Sequence, residues 1–390
     1  MKMQLKTAVM TLITALFFTA CQKEINQTGT GSDEIASASS QAANSNSESN
    51  SVGHVYTLSN QTAGNRVISY SRSDDGKLEW EASYASGGNG TGGGLGNQDA
   101  VIIASLGDKN FLLAINAGSN SVSSFSINDN GLQLLSTISS GGMKPVSIAE
   151  YGEIVFVLNG GGTNNISGLT VDNNGMLHSI ANSARPLSAA STGPAQVSFV
   201  NEGKVLVITE KATNKIITYT VDVNGIPGSM HSITSSSATP FGFATGRNGT
   251  VFVSEAVGGA PGASVLSSYL IGYNGAITLV DGSVGAGQSA ACWVVINNNG
   301  KFAYTTNTGN NNISTFGINN SGDISVTQAI SATTQAGPID AALSNNSKYL
   351  YVLNGGAHSI QVYAAGNDGS LSMVQTVTGL PAGTNGLAAK

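Results

Sequence analysis

Few side chains in this sequence can do chemistry, and their spacing narrows what kind. The four histidines, His54, His178, His231 and His358, stand far apart, and none has a second potential ligand at a motif spacing. No metal site and no cofactor is therefore expected. Cys292 lies in the apolar run Ala290-Ala291-Cys292-Trp293-Val294-Val295-Ile296, where a cysteine reads as a small buried hydrophobe. The run Gly87-Gly88-Asn89-Gly90-Thr91-Gly92-Gly93-Gly94-Leu95-Gly96 has the composition of a phosphate cradle. It lacks a following Lys-Ser/Thr and no helix is expected after it, so it reads as a flexible loop between structural units. Charged residues are 10% of 390, the formal net charge is −6, and no basic cluster follows the first few residues. Nothing would neutralise phosphates, and a nucleic-acid partner is not expected.

The other cysteine points to acylation. Lys2 and Lys6 precede an apolar stretch over residues 8–18, and Phe18-Thr19-Ala20-Cys21 then puts small residues ahead of a thiol. That is the layout of a secretory signal, with an apolar run too short for a comfortable transmembrane helix. Its last four residues resemble a lipobox, which makes Cys21 the lipidation site. Several acyl chains there would anchor stably where one is marginal. Gln22 follows, and Lys23-Glu24 resembles the Lys-acidic signal of surface-exposed bacterial lipoproteins. From 27 to 51 the chain is mostly Ser, Asn, Ala, Gln, Thr and Gly, too polar to offset the entropy of ordering. The expected division is a signal peptide at 1–20, a lipidated Cys21 and disordered tether at 21–53, and a folded domain at 54–390. The expected location is the cell envelope, at the outer membrane, facing the periplasm or the surface.

The folded part repeats itself. Apolar stretches ending in Asn or Glu occur at 55–60, 111–116, 155–159, 205–210, 251–255, 303–307 and 350–354. Their spacing is about that of a four-stranded propeller blade. Each continues through a Gly/Asn/Ser turn into a strand such as Ser359-Ile360-Gln361-Val362-Tyr363. An amide-rich turn ending in Gly follows, such as Asn367-Asp368-Gly369, where a positive φ is tolerated. Most copies open with an inner strand, as in Pro145-Val146-Ser147-Ile148, Pro240-Phe241-Gly242-Phe243 or Pro338-Ile339-Asp340-Ala341. The first copy has none, and Thr384-Asn385-Gly386-Leu387-Ala388-Ala389 near the chain end could supply it. The expected fold is all-β: a seven-bladed β-propeller of four-stranded blades, its ring closed by a C-terminal strand in the first blade. Closure leaves no inner edge unpaired, and a monomer is expected. Two stacked sandwiches would not produce seven equal repeats. Tyr219, Tyr269, Phe316 and Tyr363, recurring once per blade, read as inter-blade core rather than a sugar-stacking platform.

These repeats resemble the lactonase-like seven-bladed propellers, the family of bacterial 6-phosphogluconolactonase and carboxymuconate-lactonizing enzyme. The resemblance runs from Val55 to Lys390 and rests on the blade signature and the closing Asn385-Gly386-Leu387-Ala388. It implies four polar active residues on one face of the ring. The inner strand that would carry a histidine reads Gly193-Pro194-Ala195-Gln196-Val197-Ser198-Phe199, with Gln196 the polar residue present. Lys215 stands where an arginine opens the following Val-rich strand, Glu255 matches the glutamate, and Thr308 replaces the second arginine. One group is kept, one keeps only its charge, and two are lost.

Lactone hydrolysis needs a proton-transfer group and donors aimed at the developing oxyanion. Exchanging Arg for Lys gives up bidentate carboxylate or phosphate recognition. Glu255 could serve as the base only with a raised pKa; otherwise it caps the turn at the strand end. Glu210 and Lys211 occupy the equivalent loop one blade earlier. Glu210, Lys211, Lys215 and Glu255 thus form the candidate cluster, with Glu255 and Lys215 as the catalytic pair and Glu210, Lys211, Gln196 and Thr308 as binding residues. The favoured expectation is a non-catalytic binding or scaffold propeller for a carbohydrate, lactone or protein ligand. The alternative is a divergent lactonase, a lactone (carboxylic-ester) hydrolase acting on a lactone, sugar-derived or other.

Overall fold

The computed structural model describes residues 51–390. The signal segment, Cys21 and the tether up to residue 50 lie outside the described residues. Seven separate antiparallel sheets follow one another around a ring, one per repeat. In the fourth blade the strands from the centre outward are Pro194–Val200, Val205–Glu210, Lys215–Val221 and Pro227–Thr234. Burial is greatest in the second strand and least in the outermost. The second strand is buried at every residue, whereas most of the outermost is exposed. A strand covered by a neighbouring blade on each face reads as a continuous apolar run, which is why the second strands carry the repeat signature.

The core is a set of inter-blade seams. Val146, Phe156 and Ile166 of the third blade pack on Val197, Leu206 and Tyr219 of the fourth. Val205, Val207 and Ile216 in turn meet Phe243, Val251 and Tyr269 of the fifth. Tyr219, Tyr269, Phe316 and Tyr363 are all buried in such seams. Cys292 is buried beside Trp293, Phe241 and Ala195.

The first blade is closed as expected: Asn385–Ala389 pairs antiparallel with Gly53–Leu58, which pairs with Arg66–Arg72. Thr57 Oγ1 donates to the Gly386 carbonyl at 2.6 Å, fastening the closing strand from within. The third blade departs from the pattern. Its outer strand is split into Leu177–Ser179 and Arg185–Pro186, both paired with Asn165–Val171. Among the described residues, no helix is long and apolar enough to cross a membrane.

Chain direction gives the ring two unlike faces. Turns between second and third strands, and the loops from one blade to the next, lie on one face, here the crossover face. Turns between inner and second strands lie on the other.

Candidate functional site

The second strand of every blade ends on the crossover face in one buried polar residue: Asn60, Asn116, Asn159, Glu210, Glu255, Asn307 and Asn354. In three blades the Asn amide donates to the turn and third strand: Asn116 to Ser121 and Ser123, Asn307 to Asn312 and Ser314, Asn354 to Ser359 and Gln361, whereas Asn60 donates to Thr91 and to the Gly93 and Gly383 carbonyls. Where it is Glu, the polarity reverses. Glu255 accepts from Ser267 Oγ at 2.7 Å and Tyr269 Oη at 2.9 Å, and from Ser235 Oγ. Burial and the Glu255 charge push the Tyr269 phenol up to about 12, so it remains a donor. Glu210 accepts from the Ser188 amide at 2.9 Å, from Ser188 Oγ and from Thr213 Oγ1. Both glutamates thus occupy the position that in the second, sixth and seventh blades latches strand to turn.

The remaining sequence candidates go separate ways. Lys215 lies opposite Glu210 in the strand register and is partly buried. Among the described residues none of the four ion pairs involves Glu210, Lys211, Lys215 or Glu255. Thr308 Oγ1 donates to the Pro338 carbonyl at 2.7 Å, tying the sixth blade to the seventh. Lys211 turns inward: its ammonium lies 4.4 Å from the centroid of the Phe241 ring and donates to the Gly96 carbonyl. Burial, helped by the charge of Lys144, pushes its pKa down to about 7. Gln196 is also buried, donating to Asp99 Oδ2 at 2.6 Å and accepting from the Phe243 amide at 2.5 Å.

Lys211 and Gln196 both lead to the glycine-rich loop. It does link two blades, but its far end is not exposed: Leu95, Asn97 and Gln98 are buried. This end crosses the ring centre and is held on several sides. Trp293 Nε1 donates to the Asn97 carbonyl at 2.7 Å, and the Asn97 side chain donates to the Val146 carbonyl. Asn385 Nδ2 reaches Asn97 Oδ1 at 3.1 Å, Gln98 Nε2 reaches the Val294 carbonyl at 3.0 Å, and the Gln98 amide reaches the Ala195 carbonyl at 3.2 Å. The first, third, fourth and sixth blades thus all grip a segment that plugs the channel from the crossover face. Close approach has a requirement. A Cβ on Gly242 would lie 2.7 Å from the Cys292 carbonyl oxygen and collide with Gln98 Oε1.

Below the plug two buried carboxylates face each other electrostatically. Asp99, in left-handed backbone geometry with φ 62°, has its carboxyl pushed up to about 7 by burial, against the hydrogen bond from Gln196. Asp340 accepts from the Ala341 amide at 2.8 Å and from the Leu387 amide, while its Oδ2 has no partner. Burial and the charge of Asp99 hold its carboxyl well above the usual range. Neither aspartate belongs to the sequence-derived set. The available signal was an acid inside an otherwise apolar inner strand, Pro338-Ile339-Asp340-Ala341.

A family model described as Lactonase, 7-bladed beta-propeller matches residues 273–389, which span the end of the fifth blade, the sixth, the seventh and the closing strand. The fold is that of a seven-bladed β-propeller, and its last third is similar to the lactonase family. No curated protein matches its sequence. Among solved structures, a candidate 6-phosphogluconolactonase of Bacteroides uniformis superposes with a TM-score of 0.67 at 17% identity, covering 85% of this chain and 99% of that one. A similar protein of Bacteroides fragilis gives 0.67 at 14% identity, over 89% and 100% of the two chains. The periplasmic gluconolactonase of Pseudomonas aeruginosa gives 0.62 at 16%, over 85% and 98%. At such identities the likeness is one of fold, and propellers of one fold host unrelated functions.

Proposed function

We propose that this propeller is a lipid-anchored protein of the cell envelope that binds its ligand without hydrolysing it. The observation that carries the reading is the state of Glu255, fully buried with hydroxyl donors on both carboxylate oxygens. A general base must come within hydrogen-bond reach of the proton it removes, and these oxygens are already engaged in holding a strand end to its turn. Thr308 and Gln196 are likewise bonded within the ring, and the plug closes the channel from the crossover face. Cys21 supplies the anchor and residues 21–53 the tether, at the outer membrane on its periplasmic or surface side. The ligand is then an extracytoplasmic carbohydrate, lactone or protein segment, met by a monomeric ring.

The test is a panel of sugar-derived and aliphatic lactones assayed on residues 53–390. No turnover is expected on any of them. Turnover that Glu255→Gln lowers by ~10²–10⁴, the range of general-base loss, would instead establish the divergent lactonase. For the anchor, labelled palmitate should enter the full chain and not its Cys21→Ala variant. Label persisting in that variant would end the lipoprotein reading.

A further inference from the structure

The plugged channel leaves a cavity of about 330 Å³ on the side away from the crossover face. It runs between the inner strand Val101–Leu106 of the second blade, the inner strand Pro338–Leu343 of the seventh and the closing strand. Its polar groups gather at two ends. Gln98 and Asp99 line the closed end under the plug, and Ser105, Asn110 and Asn345 line the mouth, with Lys390 beside them. An aliphatic belt that includes Val101, Ile103, Val295 and Leu387 separates the two.

Asp99 gives the closed end its chemistry. Across residues 95–100 every other residue is buried, and Asp99 alone keeps accessible surface. That surface is on the cavity, which Asp99 lines. Its Oδ2 accepts from Gln196 Nε2 at 2.6 Å, and Gln196 is itself fixed by the Phe243 amide at 2.5 Å. Its Oδ1 accepts no hydrogen bond among the described residues. Nor is that oxygen one of the buried atoms sealed away without a partner, so it opens on the cavity. The carboxyl is thus held by one oxygen and presents the other.

We propose that this cavity binds one neutral sugar molecule, with a hydroxyl at Asp99 Oδ1 and its C–H faces against the aliphatic belt. The proposal rests on the binding reading given above and narrows its ligand to a small carbohydrate.

Three features select that class. A sugar hydroxyl both donates and accepts. Burial pushes the Asp99 carboxyl up to about 7, so both of its protonation states are populated near neutrality. A hydroxyl fits each of them, whereas an ammonium ion needs the charged form and a carboxylate the protonated one. The mouth, secondly, offers uncharged groups with capacity to spare. Asn110 Oδ1 accepts from Ser105 Oγ at 2.9 Å while its Nδ2 is unused, and the Asn345 side chain makes no hydrogen bond among the described residues. Hydroxyls spread around one ring can meet both polar ends, and a hydrocarbon would satisfy neither. Thirdly, the volume falls in the lower part of the range that small-molecule sites occupy, and the plug closes one end. There is room for a single sugar, and no passage for a glycan chain or a protein segment.

The test is calorimetric titration of the full chain with D-glucose, D-galactose and D-mannose, alongside maltoheptaose, n-butylammonium chloride and sodium butyrate. Saturable binding of at least one hexose is expected, at least tenfold tighter than that of the other three compounds and weakened at least tenfold by Asp99→Ala. If that variant fails to fold, Ile103→Trp serves instead, filling the cavity from a wall while leaving Asp99 in place. It should abolish hexose binding. Absence of saturable hexose binding to the folded chain would overturn the proposal, and so would hexose binding that both variants retain. Tighter binding of maltoheptaose would put the carbohydrate on an open surface, and tighter binding of either ion would give the cavity to a charged ligand; each would equally overturn it. Lactone turnover alongside intact hexose binding would sink the non-catalytic reading and leave this site standing.

Discussion

Glu255 and Asp99 show how one residue type takes opposite roles from its immediate partners. Glu255 meets hydroxyls that can each donate a hydrogen, so its charge is solvated from within the fold. Replacing it with Gln keeps the shape but sets amide hydrogens against those hydroxyls. We expect a stability loss of about 1–3 kcal/mol, read by denaturant unfolding. Unchanged unfolding in Glu255→Gln would mean that these hydrogen bonds contribute nothing net. Asp99 is buried with a single side-chain donor, and burial outweighs that bond, so its folded pKa lies above its unfolded one. The folded chain therefore binds more protons than the unfolded chain between about pH 4 and pH 7. The stability that Asp99 contributes is lost as pH rises through that window. Lys211 runs the other way. Its folded pKa is lowered to about 7, so its contribution improves as pH rises from about 7 toward the ordinary lysine value. The two limbs together give a shallow minimum of stability near pH 7. Asp99→Asn should flatten the acid limb and Lys211→Met the alkaline one, in thermal melts from pH 4 to 10. A profile that neither variant alters would mean that these groups titrate as exposed ones.

At the scale of elements, the blades were legible and the plug was not. The repeat could be read because the second strand of each blade is buried on both faces, which writes an uninterrupted apolar run seven times over. The glycine-rich loop carries no such mark. Glycines that make a loop look mobile also let backbone approach backbone, and only the ring around Asn97 and Gln98 shows that packing is their use here. The candidate charges failed to gather for a related reason: sequence spacing gives the blade and the turn, not the direction of a long side chain. Lys211 and Glu210 are adjacent in sequence, yet one reaches the channel and the other the loop carrying Ser188. The plug itself is testable. Gly242→Ala would push on Gln98 and the Cys292 carbonyl, an overpacking cost of ~1–3 kcal/mol. It should raise amide exchange at residues 95–99 more than in the outer strands. Uniform exchange across the ring would mean that the plug is not a separately held element.

At the scale of the molecule, the ring is closed by a few residues whose contacts reach beyond the first blade. Asn385–Ala389 pairs the inner edge of Gly53–Leu58, offers the Leu387 amide to Asp340 and forms part of the cavity wall. Removing residues 384–390 would expose that edge, strip Leu387 from the seam between the seventh and first blades, and leave Asp340 with a single donor. A buried leucine alone is worth ~2–5 kcal/mol, and the lost ladder adds about 1 kcal/mol per hydrogen bond. A fall in the melting midpoint on the order of 10 °C is expected. The full chain carrying Leu387→Ala separates seam from ladder, because it keeps the backbone ladder and the Leu387 amide while trimming the seam. It should lose stability by a few kcal/mol, less than the truncation does. A melt unchanged by the truncation would mean that the ring does not depend on this strand for closure.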